Sequence, residues 1–542
     1  MMTVIAAGTM FYSCETTELE DLVSPNALSP DLADADLLLN SIQVSYLGAM
    51  QDMQYNGAAL GRISYMGGRV YYNNFGSGTV SGAWGSLYSG MLPDIAAIEA
   101  QNGEDNLLAF HLGISKAMAA HVMMGIVDSV GDIPWSQANN PTEFPSPSVD
   151  DDADVYAAAV AMLDEAESYL NAAGGGDDLF YGGDSSKWMK FVNTLRMRAM
   201  LTTGDYAGAL AQGGVIDTAD ADMQFNYGTQ ELQPDTRHPW YQSDYTTSGA
   251  NIYQSSWLMD TMIGDINEWY TAPVGYPGIG NEEDGAVQRA VQSDDPRRRY
   301  YFYRQQWITP GQAGMLYAFD AGPYVWPLSW GGNFEDTANG ETLQCSLQLQ
   351  PFHLDFTEDG GDGTMVGRWC AGKLGYWGRH HGNDEGIPPD NFTRTAVGVY
   401  PAGGSFDNQP DVPNYDNYGS LSGTNAGIKG AVWQGNGGGG AGIWPIYLSS
   451  YVHFMKAEAA MWLGDVATAR AMMEIGMQHS FDKVLSMGSV DPDADSNYFA
   501  TATEVSDFIS MKLAEFDAAP LSNTSDPLAP STTKDKLLSL IH

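Results

Sequence analysis

The sequence predicts a mainly α-helical protein in which a helical scaffold carries a large irregular lobe. Apolar residues recur at helical spacing through residues 30–220 and again through residues 443–542. Residues 221–442 between them are rich in Gly, Pro, Asn, Asp and aromatic residues, which favour turns and loops. Such a segment is too long for an ordinary connection, so we expect a loop-rich insertion that carries the ligand face.

The first half of the scaffold has the apolar spacing of several consecutive helices. This pattern predicts helices at residues 35–53, 81–98 and 106–127. Pro93 lies within the second of these, and we expect it to interrupt that helix because proline has no N–H to donate. The first helix would bury Leu38, Leu39, Ile42, Tyr46, Leu47 and Met50.

Two further helices are predicted before residue 220. Residues 150–154 are mostly Asp, and negative charge stabilises the start of a helix. Residues 155–170 then place apolar side chains on one face. A second helix is predicted at residues 187–201, followed by Gly204-Asp205-Tyr206 and a short alanine-rich helix.

Near the C-terminus, residues 446–463 and 466–479 predict a helical hairpin joined by Gly464-Asp465. Alanines occur throughout both helices and allow close approach. The sequence pattern Ala-x-x-x-Leu-Gly-Asp-x-x-x-Ala resembles that of a tetratricopeptide hairpin. Residues 200–209 repeat it imperfectly, so we expect a tetratricopeptide-like scaffold.

The N-terminus is typical of a signal peptide that directs export. Residues 1–13 are apolar and uncharged, about the length of a signal-peptide core, and end at Ser13-Cys14. A small residue before Cys at the end of an apolar run resembles a lipobox, so we expect lipidation of Cys14. The acidic stretch that follows resembles a surface-export tether. We therefore assign residues 1–21 to signal and tether, and residues 22–542 to a single domain without a later membrane-spanning stretch.

Charge and cysteine content exclude several classes of protein. The chain has 24 Lys+Arg against 67 Asp+Glu, a net charge of −43. Phosphate backbones would be repelled, so nucleic acid is not an expected partner, and anionic polysaccharides are disfavoured while neutral glycans are not. The 3 cysteines exclude a disulfide framework. Cys345 and Cys370 either form one bridge or remain thiols.

Dispersed motifs in a fixed order resemble the SusD/RagB family. The run Gly-Asp-Ile-Pro-Trp-Ser-Gln-Ala at residues 131–138 is similar to the characteristic turn of that family. The later matches, in order, are Tyr181-Gly182-Gly183-Asp184, Trp188-x-Lys190-Phe191-x-Asn193-x-Leu195-x-x-Arg198, Asp295-Pro296-Arg297, Gly386-Ile387-Pro388-Pro389-Asp390, the run 398–407 and Lys456-Ala457-Glu458-Ala459. Together they cover nearly the whole chain.

This resemblance implies a lipid-anchored protein of the outer membrane at the cell surface. It would capture an oligosaccharide and deliver it to a SusC-like TonB-dependent transporter. The family usually continues beyond a Lys-Leu-x-x-Ile motif into a final helical stretch. Here the sequence stops at residues 536–542, so we expect the chain to be cut short relative to the family.

Aromatic residues in loops are the candidate ligand contacts. Sugar rings have apolar C–H faces and hydroxyl edges, so a site for them needs flat aromatic rings beside polar side chains. Arg62 and Asn74 could supply hydroxyl contacts in an early loop. The predicted ligand-binding residues are Tyr72, Asn73, Trp240, Tyr241, Trp307, Tyr324, Trp326 and Trp330. The acidity favours a neutral glycan, of which a laminarin-type β-glucan is one guess.

Other functions remain open at this point. A RagB-like peptide-binding lipoprotein would use the same scaffold, a glycoside hydrolase would need a defined carboxylate pair, and a structural surface protein would bind no ligand. No local motif singles out a catalytic pair among the 67 acids, so we do not expect an enzyme. No cofactor is expected, although a structural calcium at Asp491, Asp493 and Asp495 is compatible with their alternating spacing.

Overall fold

The computed structural model describes residues 33–67, 71–263, 295–305, 316–318, 325–327, 394–408 and 432–518. The described part is mainly helical, as predicted. Its N-terminal helices are α1 (Ala35–Leu60), α2 (Tyr71–Asn74), α3 (Ser81–Gly85), a π-helix (Ser86–Met91), α4 (Leu92–Gln101), α5 (Ala109–Val130), α6 (Asp152–Ala172), α7 (Ser185–Thr202) and α8 (Tyr206–Ala211).

The remaining elements are shorter until the C-terminal helices. They are β1 (Met223–Asn226), α9 (Pro239–Asp244), α10 (Ser256–Ile263), α11 (Arg298–Tyr301), β2 (Phe302–Tyr303), β3 (Leu316–Ala318), β4 (Val325–Pro327), β5 (Ala396–Val397), β6 (Ile443–Tyr447), α12 (Ser449–Leu463), α13 (Val466–Ser486) and α14 (Ala502–Ala518). The strands pair antiparallel as β1–β6, β2–β5 and β3–β4.

Helix α5 is the centre of the largest hydrophobic core. It is long and apolar enough to span a membrane by length and composition, yet 89% of its most apolar window is buried inside the fold. Glycines let its neighbours approach closely. A Cβ at Gly113 would lie 2.8 Å from Leu170 Cγ on α6, and one at Gly125 would lie 2.7 Å from Met53 Sδ on α1. We therefore interpret α5 as the core helix of a folded domain.

The predicted helix at residues 81–98 is interrupted, as expected, but the interruption has a specific form. The chain passes from α3 into the π-helix Ser86–Met91 before α4 begins. Pro93 lies in the first turn of α4, directly after the π-helix, where the Leu92 N–H donates to the Leu87 carbonyl five residues earlier. The interruption is therefore a change of hydrogen-bond pattern within one helical run and not a break in the chain direction.

Both predicted Gly-Asp turns form, and they share one geometry. Gly204 and Gly464 have positive φ angles of 86° and 80°. Asp205 then caps α8 by accepting from the Gly208 N–H at 2.9 Å, and Asp465 caps α13 by accepting from the Thr468 N–H at 3.0 Å. Helix α8 packs against α12, so the hairpin of α7 and α8 lies against the hairpin of α12 and α13. This contact agrees with the prediction of a tetratricopeptide-like scaffold.

The boundaries of the late hairpin differ from the prediction. Ile446 lies in strand β6 and not in a helix, and α12 begins at Ser449. The prediction is wrong here because a short apolar run has no periodicity that separates strand from helix. Pairing with β1 decides the conformation of this run. Helix α13 also continues past the predicted residue 479 to Ser486, and α14 was not predicted at all.

Candidate functional site

The structure describes only part of the predicted ligand contacts. Tyr72 on α2 is 86% exposed, which suits a contact residue. Trp240 on α9 is half-buried, with its ring centroid 5.6 Å from that of Trp444. For Trp326 the description is limited to its strand, β4. The side chain of Asn73, together with Cys14, Trp307, Tyr324 and Trp330, lies outside the described residues, as do Cys345 and Cys370.

Tyr241 is a correction to the predicted site. Its side chain is completely buried, and its ring stacks on Tyr245 with centroids 4.3 Å apart. The Tyr241 hydroxyl donates to the Asn436 carbonyl and accepts from the Gly435 N–H, both at 2.9 Å. Residues one helical turn apart share a face of α9, and this face points into the core. Tyr241 therefore holds a loop in place and presents no surface to a ligand.

Segments distant in sequence meet at the C-terminal end of α1. Ser64, just after α1, forms an isolated β-bridge with Gln254. The Ser255 hydroxyl donates to the Arg62 carbonyl at 2.7 Å. Residues 251–255, which precede α10, are thereby fixed to the chain that leaves α1.

The loop that carries Tyr72 begins and ends near the same end of α1. It leaves α1 after Leu60, and the Asn56 amide on the last turns of α1 donates to the Thr79 carbonyl at 2.8 Å. A chain tethered at both ends cannot carry α2 far away, because each residue spans at most about 3.5 Å. Tyr72 lies seven residues before Thr79, so this tether keeps its backbone within about 25 Å of Thr79 and does not by itself bring it to the bridge between Ser64 and Gln254.

Aromatic rings and one arginine cluster in this region. The rings of Tyr65 and Tyr253 meet edge to face with centroids 5.8 Å apart. The Arg394 guanidinium lies 3.8 Å from the Tyr253 ring centroid and also donates to the Asn251 carbonyl at 2.9 Å. We call Ser64, Tyr65, Tyr253, Gln254 and Arg394 the α1-end cluster. Sequence reasoning gave no signal for Tyr65 or Arg394.

Within the described part of the chain, Ser64 Oγ and Gln254 Nε2 of the α1-end cluster are buried from solvent and have no hydrogen-bond partner. A buried donor without a partner costs roughly 1–3 kcal/mol, so a bound water is expected at such an atom. The half-buried rings supply the stacking faces that a sugar requires, whereas a ligand reaches the two enclosed atoms only if the side chains around them move.

A buried carboxylate ties the α1-end cluster to the core. Asp244 at the end of α9 accepts from the Ile252 N–H at 2.8 Å and from the Val397 N–H at 2.7 Å. Burial raises the pKa of Asp244 to about 7, against the opposing effect of these backbone donors. Because Asp244 is fully enclosed and its oxygens bind backbone groups, it positions the loop at residues 251–255 and does not face a substrate.

The acids proposed for calcium hold backbone instead. Asp491 accepts from the Phe406 and Asp493 N–H groups, each at 2.8 Å, and Asp495 accepts from the Asn497 N–H at 2.9 Å. These bonds use the carboxylates to fix a turn after α13. A calcium ion here stays a prediction that the geometry does not favour.

The fold defines a class of protein, a tetratricopeptide-like helical scaffold with short strands and loops between its two helical regions. The chain belongs to the SusD-like family, whose model matches residues 35–315 and is described as starch-binding and associated with the outer membrane. Members of this family are binding proteins rather than enzymes.

Solved structures show the same fold. A SusD homologue from Parabacteroides distasonis is 15% identical, with a TM-score of 0.51, and the match covers 94% of this chain and 81% of that one. A SusD/RagB family protein from Bacteroides thetaiotaomicron is also 15% identical, with a TM-score of 0.50 over 90% and 82% of the two chains. A comparison with curated proteins finds no match.

Proposed function

We propose that this protein captures a neutral oligosaccharide or polysaccharide at the cell surface without cleaving it. A lipid on Cys14 anchors the protein to the outer membrane, and a SusC-like TonB-dependent transporter receives the glycan. Family membership supports carbohydrate binding and the outer membrane. The anchor, the transporter and the glycan are the finer steps of the proposal.

The α1-end cluster is the observation that carries the proposal. It combines the half-buried Tyr65 and Tyr253 rings with the unpaired polar atoms of Ser64 and Gln254. The exposed Tyr72 ring lies on a loop tethered to the same end of α1. A pyranose that stacks on one of these rings would place its hydroxyls at the edge of the cluster, and the enclosed Ser64 and Gln254 atoms would become available to it once the side chains around them move.

Electrostatics favour a neutral ligand. The net charge of −43 repels anionic chains, and the charge of Arg394 is held against the Tyr253 ring and a backbone carbonyl. Neutral hydroxyls suffer no such repulsion, and aromatic stacking does not depend on ligand charge. A laminarin-type β-glucan is therefore the first glycan to test, with an α-glucan beside it.

Affinity electrophoresis tests the proposal. The chain lacking Cys14 and all preceding residues is run through gels that contain laminarin, starch or an anionic polysaccharide. We expect retardation by a neutral glycan, with no reducing sugar released on long incubation. Tyr253→Ala should weaken the retardation, whereas Leu107→Ala, at an exposed site on the α4–α5 loop, should not.

Two outcomes would contradict the proposal. If none of the glycans retards the protein, capture of a neutral glycan is wrong, and the RagB-like alternative of peptide binding becomes the first to test. If the protein is retarded and reducing sugar accumulates, the protein is a glycoside hydrolase.

A further inference from the structure

A pocket of about 470 Å³ lies away from the α1-end cluster, between three segments of the fold. One wall comes from the loop that contains Glu231 and Arg237, a second from the glycines at 435–439, and a third from Val490 and Pro492 after α13. Its volume falls in the range of about 300–1,000 Å³ that is typical of small-molecule sites.

The glycine wall is a closely packed structure. A Cβ at Gly437 would lie 2.2 Å from the Gly404 backbone, and one at Gly438 would lie 2.5 Å from Val490 Cγ1. The Gly438 N–H donates to the Gly404 carbonyl at 3.1 Å, and the Tyr241 hydroxyl accepts from the Gly435 N–H at 2.9 Å. The glycine run is therefore held at several points, and its backbone, free of side chains, lines the pocket.

Trp433 stands exposed at the edge of this wall. The Trp433 side chain is 57% exposed, and it lines a smaller cavity that shares Gly437 with the larger pocket. Its backbone is fixed on both sides, because the Trp433 N–H donates to Asn436 Oδ1 and the Val432 N–H donates to Gln305 Oε1, each at 2.8 Å. Because the Trp433 indole is exposed to solvent, it does not contribute the stabilisation that burial of an apolar side chain provides. It is also already positioned to receive a flat apolar face.

Negatively charged side chains outnumber positively charged ones at the pocket. Arg237 forms a bidentate pair with Asp235, with Nε and Nη2 at 3.0 and 2.7 Å from the carboxylate oxygens. Glu231 lies 3.7 Å from Arg237 Nη1 and accepts from the Gln434 amide at 2.9 Å. One arginine beside two carboxylates leaves no net positive charge for an anion, whereas oxygen and nitrogen groups remain for hydroxyls.

We propose that this pocket and the smaller cavity beside it form a second sugar-contacting site. Trp433 in the smaller cavity stacks on the apolar face of one pyranose unit, while Glu231 and the glycine carbonyls in the larger pocket meet hydroxyls further along the glycan. The ligand class is a neutral glycan, and the site adds a contact along a chain that the α1-end cluster also holds. This inference rests on the proposed function, because it assumes that the protein binds glycans.

The test compares the affinity of wild type and of single variants for the polysaccharide that retards the protein. Trp433→Ala should weaken binding of the retarding polysaccharide by roughly 2- to 10-fold, the effect of losing one stacking contact. Trp433→Phe should recover part of that loss because it keeps a flat ring. Leu107→Ala is the matched control at an exposed apolar site, and equal melting temperatures show that the variants fold.

A spectroscopic measurement isolates the pocket. Protein labelled with 5-fluorotryptophan gives a ¹⁹F signal for Trp433, which the Trp433→Phe variant assigns. Addition of the retarding glycan should shift this signal in wild type and in Tyr253→Ala. Retardation of wild type with an unmoved Trp433 signal and unchanged Trp433→Ala affinity overturns the second site and leaves the proposed function intact. No retardation of wild type overturns both.

Discussion

At the scale of single residues, the same residue type serves different purposes according to its contacts. Tyr241 and Tyr253 both belong to the loop-rich region, yet Tyr241 is enclosed and Tyr253 is half-buried beside Arg394. Asp244 and Asp491 are both buried and both accept from backbone N–H groups. Residue type therefore identifies candidates, and burial with hydrogen bonding separates contact residues from supporting ones.

Removal of the Tyr253 ring should weaken glycan binding. We expect Tyr253→Ala to reduce affinity by roughly 2- to 10-fold or more, because it removes one stacking face and the support of Arg394. Tyr253→Phe should retain most of the affinity, because the ring persists. Isothermal titration with the retarding glycan measures both. Equal affinity of Tyr253→Ala and wild type would exclude the α1-end cluster as the site.

Asp244 should make stability depend on pH. Its pKa of about 7 in the folded state exceeds the value of about 3.9 expected in the unfolded chain. The folded state therefore keeps a proton between pH 4 and 7 that the unfolded state releases. This contribution to stability is complete below about pH 4 and is lost as the pH rises through 7, with a slope of at most about 1.4 kcal/mol per pH unit.

The variant Asp244→Asn isolates that slope. Its amide places an N–H₂ group near backbone donors, so the variant should be less stable overall by about 1–3 kcal/mol. The decisive quantity is the difference in unfolding free energy between wild type and variant, measured by urea titration at several pH values from 4 to 7. The excess stability of wild type should shrink as pH rises. A constant difference would show that Asp244 does not titrate in this range.

At the scale of elements, the two Gly-Asp turns determine how the helical hairpins close. Both glycines have a positive φ, and both following aspartates cap the next helix. Small residues elsewhere set the distance between helices, as Gly113 does between α5 and α6. Local backbone conformation and close packing therefore act together in the scaffold.

Substitution of the turn glycines should destabilise the protein by backbone strain alone. A Cβ at Gly204 or Gly464 meets no atom within 4 Å, but their φ values of 86° and 80° suit glycine. We expect Gly204→Ala and Gly464→Ala each to cost about 1–2 kcal/mol of unfolding free energy. Gly57→Ala within α1 also meets open space and should stabilise by about 0.5–1 kcal/mol. Chemical denaturation measures the unfolding free energy of all three variants. A change of the same sign in Gly57→Ala as in the two turn variants would contradict this explanation.

At the scale of the whole molecule, the dominant property is the excess of acids. The chain has 67 acids against 24 bases, so the acids outnumber their possible cationic partners by nearly three to one. Some bases serve two acids, as Lys116 does between Glu99 and Glu165 at 2.5 and 2.7 Å. Repulsion among the remaining acids opposes the compact state and also selects against anionic ligands.

Salt should therefore stabilise the protein. The screening length falls from about 30 Å at 0.01 M to about 3 Å at 1 M salt, which removes most repulsion between surface acids. We expect the melting temperature to rise by several degrees between these limits in sodium chloride, measured by calorimetry at neutral pH. Sucrose at matched osmolality is the control for exclusion of solute. An unchanged or lower melting temperature would show that the acids are not in net repulsion.

The helical scaffold could be predicted from the sequence, whereas the candidate site could be predicted only in part. Periodicity predicted α6 and α7 closely, and it would also have predicted α14, where Val505, Ile509 and Leu513 recur one turn apart. It failed at Ile446, where pairing with β1 overrides a helical reading. Composition identified loop aromatics as a class but assigned Tyr241 wrongly, because the six residues of α9 are too few to show a helical period in the sequence.

The sequence alone determined the family, the tetratricopeptide-like hairpins and the acidic character of the surface, because motif order, helical spacing and charge are properties of the chain itself. Only the tertiary structure decided that Ser64, Gln254 and Arg394 meet at the end of α1, and that Trp433 stands beside a pocket while Tyr241 is enclosed. Those contacts join segments far apart in sequence through loops. Their geometry depends on how the whole core packs, and no local pattern encodes it.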